Sequence, residues 1–150
     1  MTHIPEVGDR IPDFAIKDYE GIELESDDLI GSPFILYFYP KDDTPGCTKE
    51  ACSLRDAMDI FDDYETAVIG VSPDNAASHA KFIEKHHLNF TLLCDENLAM
   101  AKKFGAIQEN GSSILRTTFI IDSQGIIRWI ERPVNVEGHS ERIINALQSI

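Results

Sequence analysis

The run Phe34-Ile35-Leu36-Tyr37-Phe38-Tyr39 constrains this chain more than any other segment. No polar residue interrupts it, and Pro33 and Pro40 close its two ends. A strand with one face in water alternates apolar and polar side chains, whereas an unbroken run needs cover on both faces. The segment therefore predicts a central strand in a sheet with further layers packed above and below. The apolar segment at 67–72 predicts a second strand of the same kind.

The remaining pattern supplies the covering layers. Residues 13–17 and 22–26 flank Tyr19-Glu20-Gly21 and read as an N-terminal hairpin. From Cys47 to about Tyr64, Ala51, Leu54, Met58 and Phe61 recur at helical spacing, with charged residues between them. Residues 75–86 predict a helix capped by Asp74 or Asn75, and 90–93 a short strand. Residues 96–104 predict a short helix closed by Gly105. Segments 117–122 and 126–131 flank Ser-Gln-Gly and predict a hairpin, and 140–149 a final amphipathic helix. Strands alternating with helices, then a hairpin and a helix, imply an α/β fold with a mixed central sheet flanked by helices. The order matches a thioredoxin-like core with an N-terminal β-hairpin. A length of 150 residues predicts a single domain, 1–150, able to bury a core without disulfide or metal staples.

Charge excludes several partners. With 13 Lys+Arg against 26 Asp+Glu the net charge is −13, and the basic residues are scattered. Nucleic-acid binding needs clustered cations to displace counterions, so neither a nucleic acid nor an anionic membrane surface is expected. No segment approaches the length of a membrane span, and the first residues lack the basic and apolar regions of a secretory signal. The three cysteines, Cys47, Cys52 and Cys94, are too few for a disulfide framework. The expected compartment is the reducing cytoplasm, where cysteine pairs are redox-active more often than structural.

Chemistry concentrates at Pro40-Lys41-Asp42-Asp43-Thr44-Pro45-Gly46-Cys47. A buried strand ends, a Pro- and Gly-containing loop turns, and a helix begins with a cysteine in its first turn. Helix N-terminal amides lack internal partners and the helix dipole is positive there, so both favour thiolate, the nucleophilic form. Cys52 follows five residues later. On a regular helix the two Cα atoms stand about 8–9 Å apart, beyond the ~7 Å reach of a disulfide. The two thiols are then either unrelated or partners in a cycle that unwinds the helix start. The histidines closest in sequence, His79, His86 and His87, do not make a zinc-type set with these cysteines, so no metal and no cofactor is expected.

The stretch resembles the peroxiredoxin signature Pro-x-x-x-Thr-x-x-Cys, and Cys-x-x-x-x-Cys resembles its bacterioferritin comigratory protein, or peroxiredoxin Q, subgroup. The resemblance runs from Gly8-Asp9-Arg10-Ile11-Pro12-Asp13-Phe14 through Gly70-Val71-Ser72 to Arg116-Thr117-Thr118-Phe119-Ile120-Ile121-Asp122. It implies a thioredoxin-like thiol peroxidase acting on hydrogen peroxide and organic hydroperoxides. Cys47 would be the peroxidatic cysteine that becomes sulfenic acid. Thr44 would hold thiolate and peroxide, Arg116 would stabilise the negative charge, and Pro40 would shield the site. Cys52 would resolve the sulfenic acid as an intramolecular disulfide, which thioredoxin or a similar dithiol donor would reduce. Such a cycle needs no partner subunit, so a monomer is expected. Glu50 matches an acidic family position but reads equally well as an exposed helix acid, and stays outside the catalytic set. Cys94 has no family counterpart and reads as a packed side chain, as does Trp129.

Two other readings stand beside the peroxidase. A protein disulfide oxidoreductase would want the Cys-x-x-Cys spacing, which is missing. A redox sensor or chaperone-like binder could use the same disulfide switch to expose apolar surface.

Overall fold

The computed structural model describes residues 3–150. Met1 and Thr2, where the segment read as lacking a secretory signal begins, lie outside the described residues. A short antiparallel pair, β1 (Ala15–Lys17) and β2 (Glu23–Glu25), precedes the main sheet. That sheet contains β3 (Phe34–Phe38), β4 (Ala67–Ser72), β5 (Thr91–Cys94), β6 (Thr117–Ile121) and β7 (Ile127–Glu131), in the order β5-β4-β3-β6-β7. Strand β3 pairs parallel with β4 and antiparallel with β6, so the sheet is mixed, as expected. The helices are α1 (Pro45–Asp56), α2 (Met58–Asp63), α3 (Ala76–His86), α4 (Ala99–Lys103) and α5 (His139–Ser149). None of them is long and apolar enough to cross a membrane.

The apolar run at β3 divides between two cores, because successive strand side chains point to opposite faces. Phe34, Leu36 and Phe38 pack with Phe14, Phe104, Phe119 and Ile127 on one face. Ile35, Tyr37 and Tyr39 pack on the other with Ala51 and Leu54 of α1, Phe61 of α2, Phe82 of α3 and Ile143 of α5. Every residue of β3 is buried, which explains why no polar residue interrupts it.

Two elements differ from expectation. The single helix predicted from Cys47 to about Tyr64 is two helices, because Ala57 tightens the last turn of α1. Its N–H bonds to Leu54 O at 3.1 Å, and the chain restarts so that Phe61 reaches the core. The helix predicted over 96–104 shrinks to α4 because the buried Asp95 takes the helix's first free amides. Its Oδ1 accepts from Met100 N at 3.0 Å and its Oδ2 from Ala101 N at 2.8 Å.

At the centre of β4, Gly70 lies between Tyr37 and Leu92 of the neighbouring strands. A Cβ there would stand 2.7 Å from Leu92 Cδ2 and 2.9 Å from Tyr37 Cζ. Overpacking of this kind costs about 1–3 kcal/mol. Gly70→Ala is therefore expected to lower the unfolding free energy measured in urea by that amount. A variant within about 0.5 kcal/mol of the parent protein would contradict the close packing.

Candidate active site

The site forms where β3 ends and α1 begins. Pro40 ends the strand and lies exposed at the start of the loop. Thr44 is the N-cap of α1 by backbone geometry, but its side chain does not cap the helix. Its hydroxyl donates instead to Lys41 O at 3.0 Å and fixes the loop's curvature. Pro45 opens the helix, where the lack of an N–H costs nothing. The first i→i−4 bond runs from Thr48 N–H to Thr44 O at 2.8 Å. The amides of Gly46 and Cys47 precede that bond and have no acceptor within the helix. They make the helix start a receptor for negative charge.

Cys47 sits just inside this turn, with 1% of its surface exposed. Arg116, on the residue before β6, places Nη2 3.3 Å from Cys47 Sγ. Gly46 leaves room for this approach, since a Cβ there would lie 3.4 Å from the same nitrogen. The other guanidinium nitrogen, Nη1, donates to Glu50 Oε1 at 2.6 Å. Arg116 thus bridges a sulfur and a carboxyl that stand one helical turn apart on α1.

Glu50 corrects the sequence reading. It is fully buried, not exposed, and belongs to the site. Burial pushes its carboxyl up to about 7, against the opposing pull of Arg116. A signal for this was present: Glu50 lies three residues after Cys47, on the stripe that continues through Ala51 and Leu54. His139, the first residue of α5, is a second residue outside the predicted set. Its Nδ1 lies 3.3 Å from Glu50 Oε2 and its Nε2 2.9 Å from Thr118 Oγ1. Burial pushes His139 down to about 4. The phenol of Tyr37 is also buried without a hydrogen-bond partner, and burial raises its ionisation well above the ordinary range.

The loop between β3 and α1 is tied to α3. Tyr39 donates its phenolic proton to Asp42 Oδ1 at 2.6 Å. Ser78 donates to Asp42 Oδ2 at 2.7 Å, and His79 Nδ1 lies 2.8 Å from the same oxygen. His79 Nε2 donates to Leu93 O at 2.9 Å. Asp74 Oδ2 accepts from Asp42 N at 2.8 Å and from the Ser72 hydroxyl at 2.6 Å. Asp42, Asp74 and His79 stand close enough together to hold a metal ion, yet hydrogen bonds within the protein already engage both oxygens of Asp42, Oδ2 of Asp74 and both ring nitrogens of His79. The set fits a structural network that positions the loop.

Cys52 lies on the same continuous helix as Cys47, half-buried, with Arg55 beside it. Both are free thiols. Cys94 is not brought to either. It ends the edge strand β5, its Sγ faces Asp18 O at 3.7 Å, and burial pushes its thiol up to about 11. Trp129 packs against the core on the helix-covered face.

The sequence model of the AhpC/TSA family matches residues 7–130. The chain belongs to that family. Peroxiredoxin Bcp of Bacillus subtilis is 40% identical over 151 residues, covering 97% of this chain and 94% of the relative. Among solved structures, peroxidoxin BcpB of Mycobacterium tuberculosis aligns with a TM-score of 0.90 at 31% identity, over 99% of both chains. The bacterioferritin comigratory protein of Xanthomonas campestris, described with alkyl peroxide reduction activity, aligns with a TM-score of 0.85 at 30% identity, covering 91% of this chain and 90% of that one. Within the AhpC/TSA family the chain is thus a peroxiredoxin of the Bcp and peroxiredoxin Q kind, with the thioredoxin-like fold expected from its element order.

The two buried titrating groups make a prediction. Native Glu50 keeps a proton that the unfolded chain releases above 4.5, so its contribution to stability falls as pH rises towards 7. Native His139 lacks a proton that the unfolded chain takes up below 6.5, so its contribution rises with pH from about 4. The slopes oppose each other where the windows overlap. Glu50→Gln removes one of them. Urea unfolding of that variant is expected to show stability rising with pH between about 4 and 6.5, more steeply than the parent protein. Parallel profiles would contradict the assignment.

Proposed function

We propose that this peroxiredoxin reduces hydrogen peroxide and organic hydroperoxides through a Cys47–Cys52 cycle. The observation that carries the proposal is the contact of Arg116 with the Cys47 sulfur at the start of α1, at 3.3 Å. A guanidinium and two helix-terminal amides face the place where charge develops, which is how a site stabilises a transition state. The Cys47 thiolate attacks the terminal oxygen of the peroxide. A sulfur–oxygen bond forms as the oxygen–oxygen bond breaks, and the electron pair leaves on the second oxygen. That oxygen takes up a proton and departs as water or an alcohol. Cys47 is left as sulfenic acid. Thr44 shapes the loop beneath the incoming peroxide, and Pro40 stands at its mouth.

Cys52 then attacks the Cys47 sulfur, a disulfide forms, and the sulfenic oxygen leaves as water. A regular α1 holds the two Cα atoms too far apart for this bond, so the first turns unwind. Thioredoxin or a similar dithiol returns both thiols to the reduced state. The whole chain acts as one domain, as a monomer and in the cytoplasm, since the cycle is complete within one subunit and uses a reducing partner.

Reduced protein treated briefly with one equivalent of hydrogen peroxide, then mapped without reductant by mass spectrometry, is expected to yield a Cys47–Cys52 crosslink with Cys94 free. Amides from about residue 46 to 52 are expected to lose hydrogen-exchange protection in that oxidised form. Three free thiols with the peroxide unconsumed would overturn the cycle. A proven crosslink with unchanged protection would overturn the unwinding.

A further inference from the structure

Glu50 and His139 meet in a place closed to solvent. Glu50 Oε2 and His139 Nδ1 are both buried, neither makes a hydrogen bond to another protein group, and they lie 3.3 Å apart. The outer faces of both groups are already engaged, Glu50 Oε1 by Arg116 and His139 Nε2 by the Thr118 hydroxyl. Two unpartnered polar atoms facing each other in a dry site are costly unless a hydrogen bond joins them. A small rotation of either side chain brings them to hydrogen-bond length.

We propose that Glu50 and His139 share one buried proton, and that His139 thereby acts as a positioning residue for the peroxidase reaction. The proposal rests on the Cys47 chemistry given above and deepens it. In the reduced protein the proton lies on Glu50 Oε2 and is donated to His139 Nδ1. His139 Nε2–H then donates to Thr118 Oγ1, and Arg116 donates to Glu50 Oε1. Both carboxyl oxygens of Glu50 and both ring nitrogens of His139 are then hydrogen-bonded, and the pair carries no net charge.

The consequence falls on Arg116. A carboxylate 2.6 Å from its Nη1 would offset most of the guanidinium charge in a medium with little screening. A neutral carboxylic acid leaves that charge to the Cys47 thiolate and to the oxygen that departs. The groups that face the pair favour one shared proton. Arg116 is the cation held against Glu50, while Glu131 at the end of β7 adds repulsion to a carboxylate and the neutral phenol of Tyr37 lies nearby on β3. Around His139, Arg142 of α5 and Arg116 oppose a positive ring, while Glu131 favours it. Burial pushes the carboxyl up and the imidazole down, which is the direction one shared proton requires.

The test is the pH profile of the second-order rate of Cys47 oxidation, followed by peroxide consumption in a single turnover. In the parent protein the rate is expected to fall as the pair loses its proton. A glutamine at 139 offers N–H donors that favour the carboxylate, so His139→Gln is expected to move that descending limb down by about one unit or more, a tenfold change in the protonation equilibrium. Thr118→Val removes the acceptor for Nε2–H, favours the other ring tautomer, and is expected to move the limb in the same direction. Difference infrared spectra of the reduced parent protein and Glu50→Gln supply a readout that needs neither peroxide nor a variant at 139. They are expected to show the carbonyl stretch of a protonated acid lost on substitution. Folding of each variant is checked by thermal unfolding. Superimposed descending limbs in the folded variants, or no protonated-acid band assigned to Glu50, would overturn the shared proton. A parent protein that shows the band but consumes no peroxide would instead overturn the peroxidase reading.

Discussion

The fork of the Arg116 guanidinium, with Cys47 on one nitrogen and Glu50 on the other, is the contact around which the functional end of the molecule is arranged. An ionic hydrogen bond between neighbouring strands and helices is strong only where water is scarce, and its cost is high if any partner fails to arrive. The fold meets that demand from several directions. Strand β6 delivers Arg116, α1 delivers both acceptors, and the first residue of α5 closes the far side of Glu50. Contacts of Lys49 with Glu137 and of Ser53 with Ser140 clamp α1 to the start of α5 on either side of Glu50. The second clamp lies in the loop, where Asp42 and Asp43 bind residues of α3.

Much of this was legible in the chain. The unbroken apolar run at 34–39 declared a strand covered on both faces, and its alternate residues do divide between two cores. The placement of Cys47 at a helix start followed from the proline and glycine before it. Asn75 caps α3, one of the two residues, with Asp74, that the sequence offered for the role. Glu50 and His139 were harder to see. Whether an acid on a helix faces water depends on what packs against it, and α5 comes from a segment nearly ninety residues downstream. His139 lay just outside the predicted last helix, so its position on the buried face had no periodicity to announce it.

The break at Ala57 and the shortened α4 have a common physical origin. In each case a local hydrogen bond competes with the regular helix and wins because it lets a large side chain reach the core or satisfies a buried acid. Periodicity reports the repeat of apolar residues, and such competition leaves little trace in it. These differences lie away from the reacting sulfur and leave the pairing of β3 with β4 and β6 undisturbed.

The place of Glu50 in the chain, between Cys47 and Cys52, makes geometry and reactivity inseparable. In the proposed cycle a disulfide across those two positions would unwind the helical turn that holds Glu50 in its pocket. Arg116 and His139 would then lose the partner that joins them, and the proposed apparatus for peroxide would be taken apart by the same movement that completes turnover. In the proposed cycle the oxidised chain would thereby be a resting form, blind to further oxidant until a reductant lets the helix rewind. Peroxide reduction and electron delivery would then be strictly alternating events, timed by a single turn of backbone.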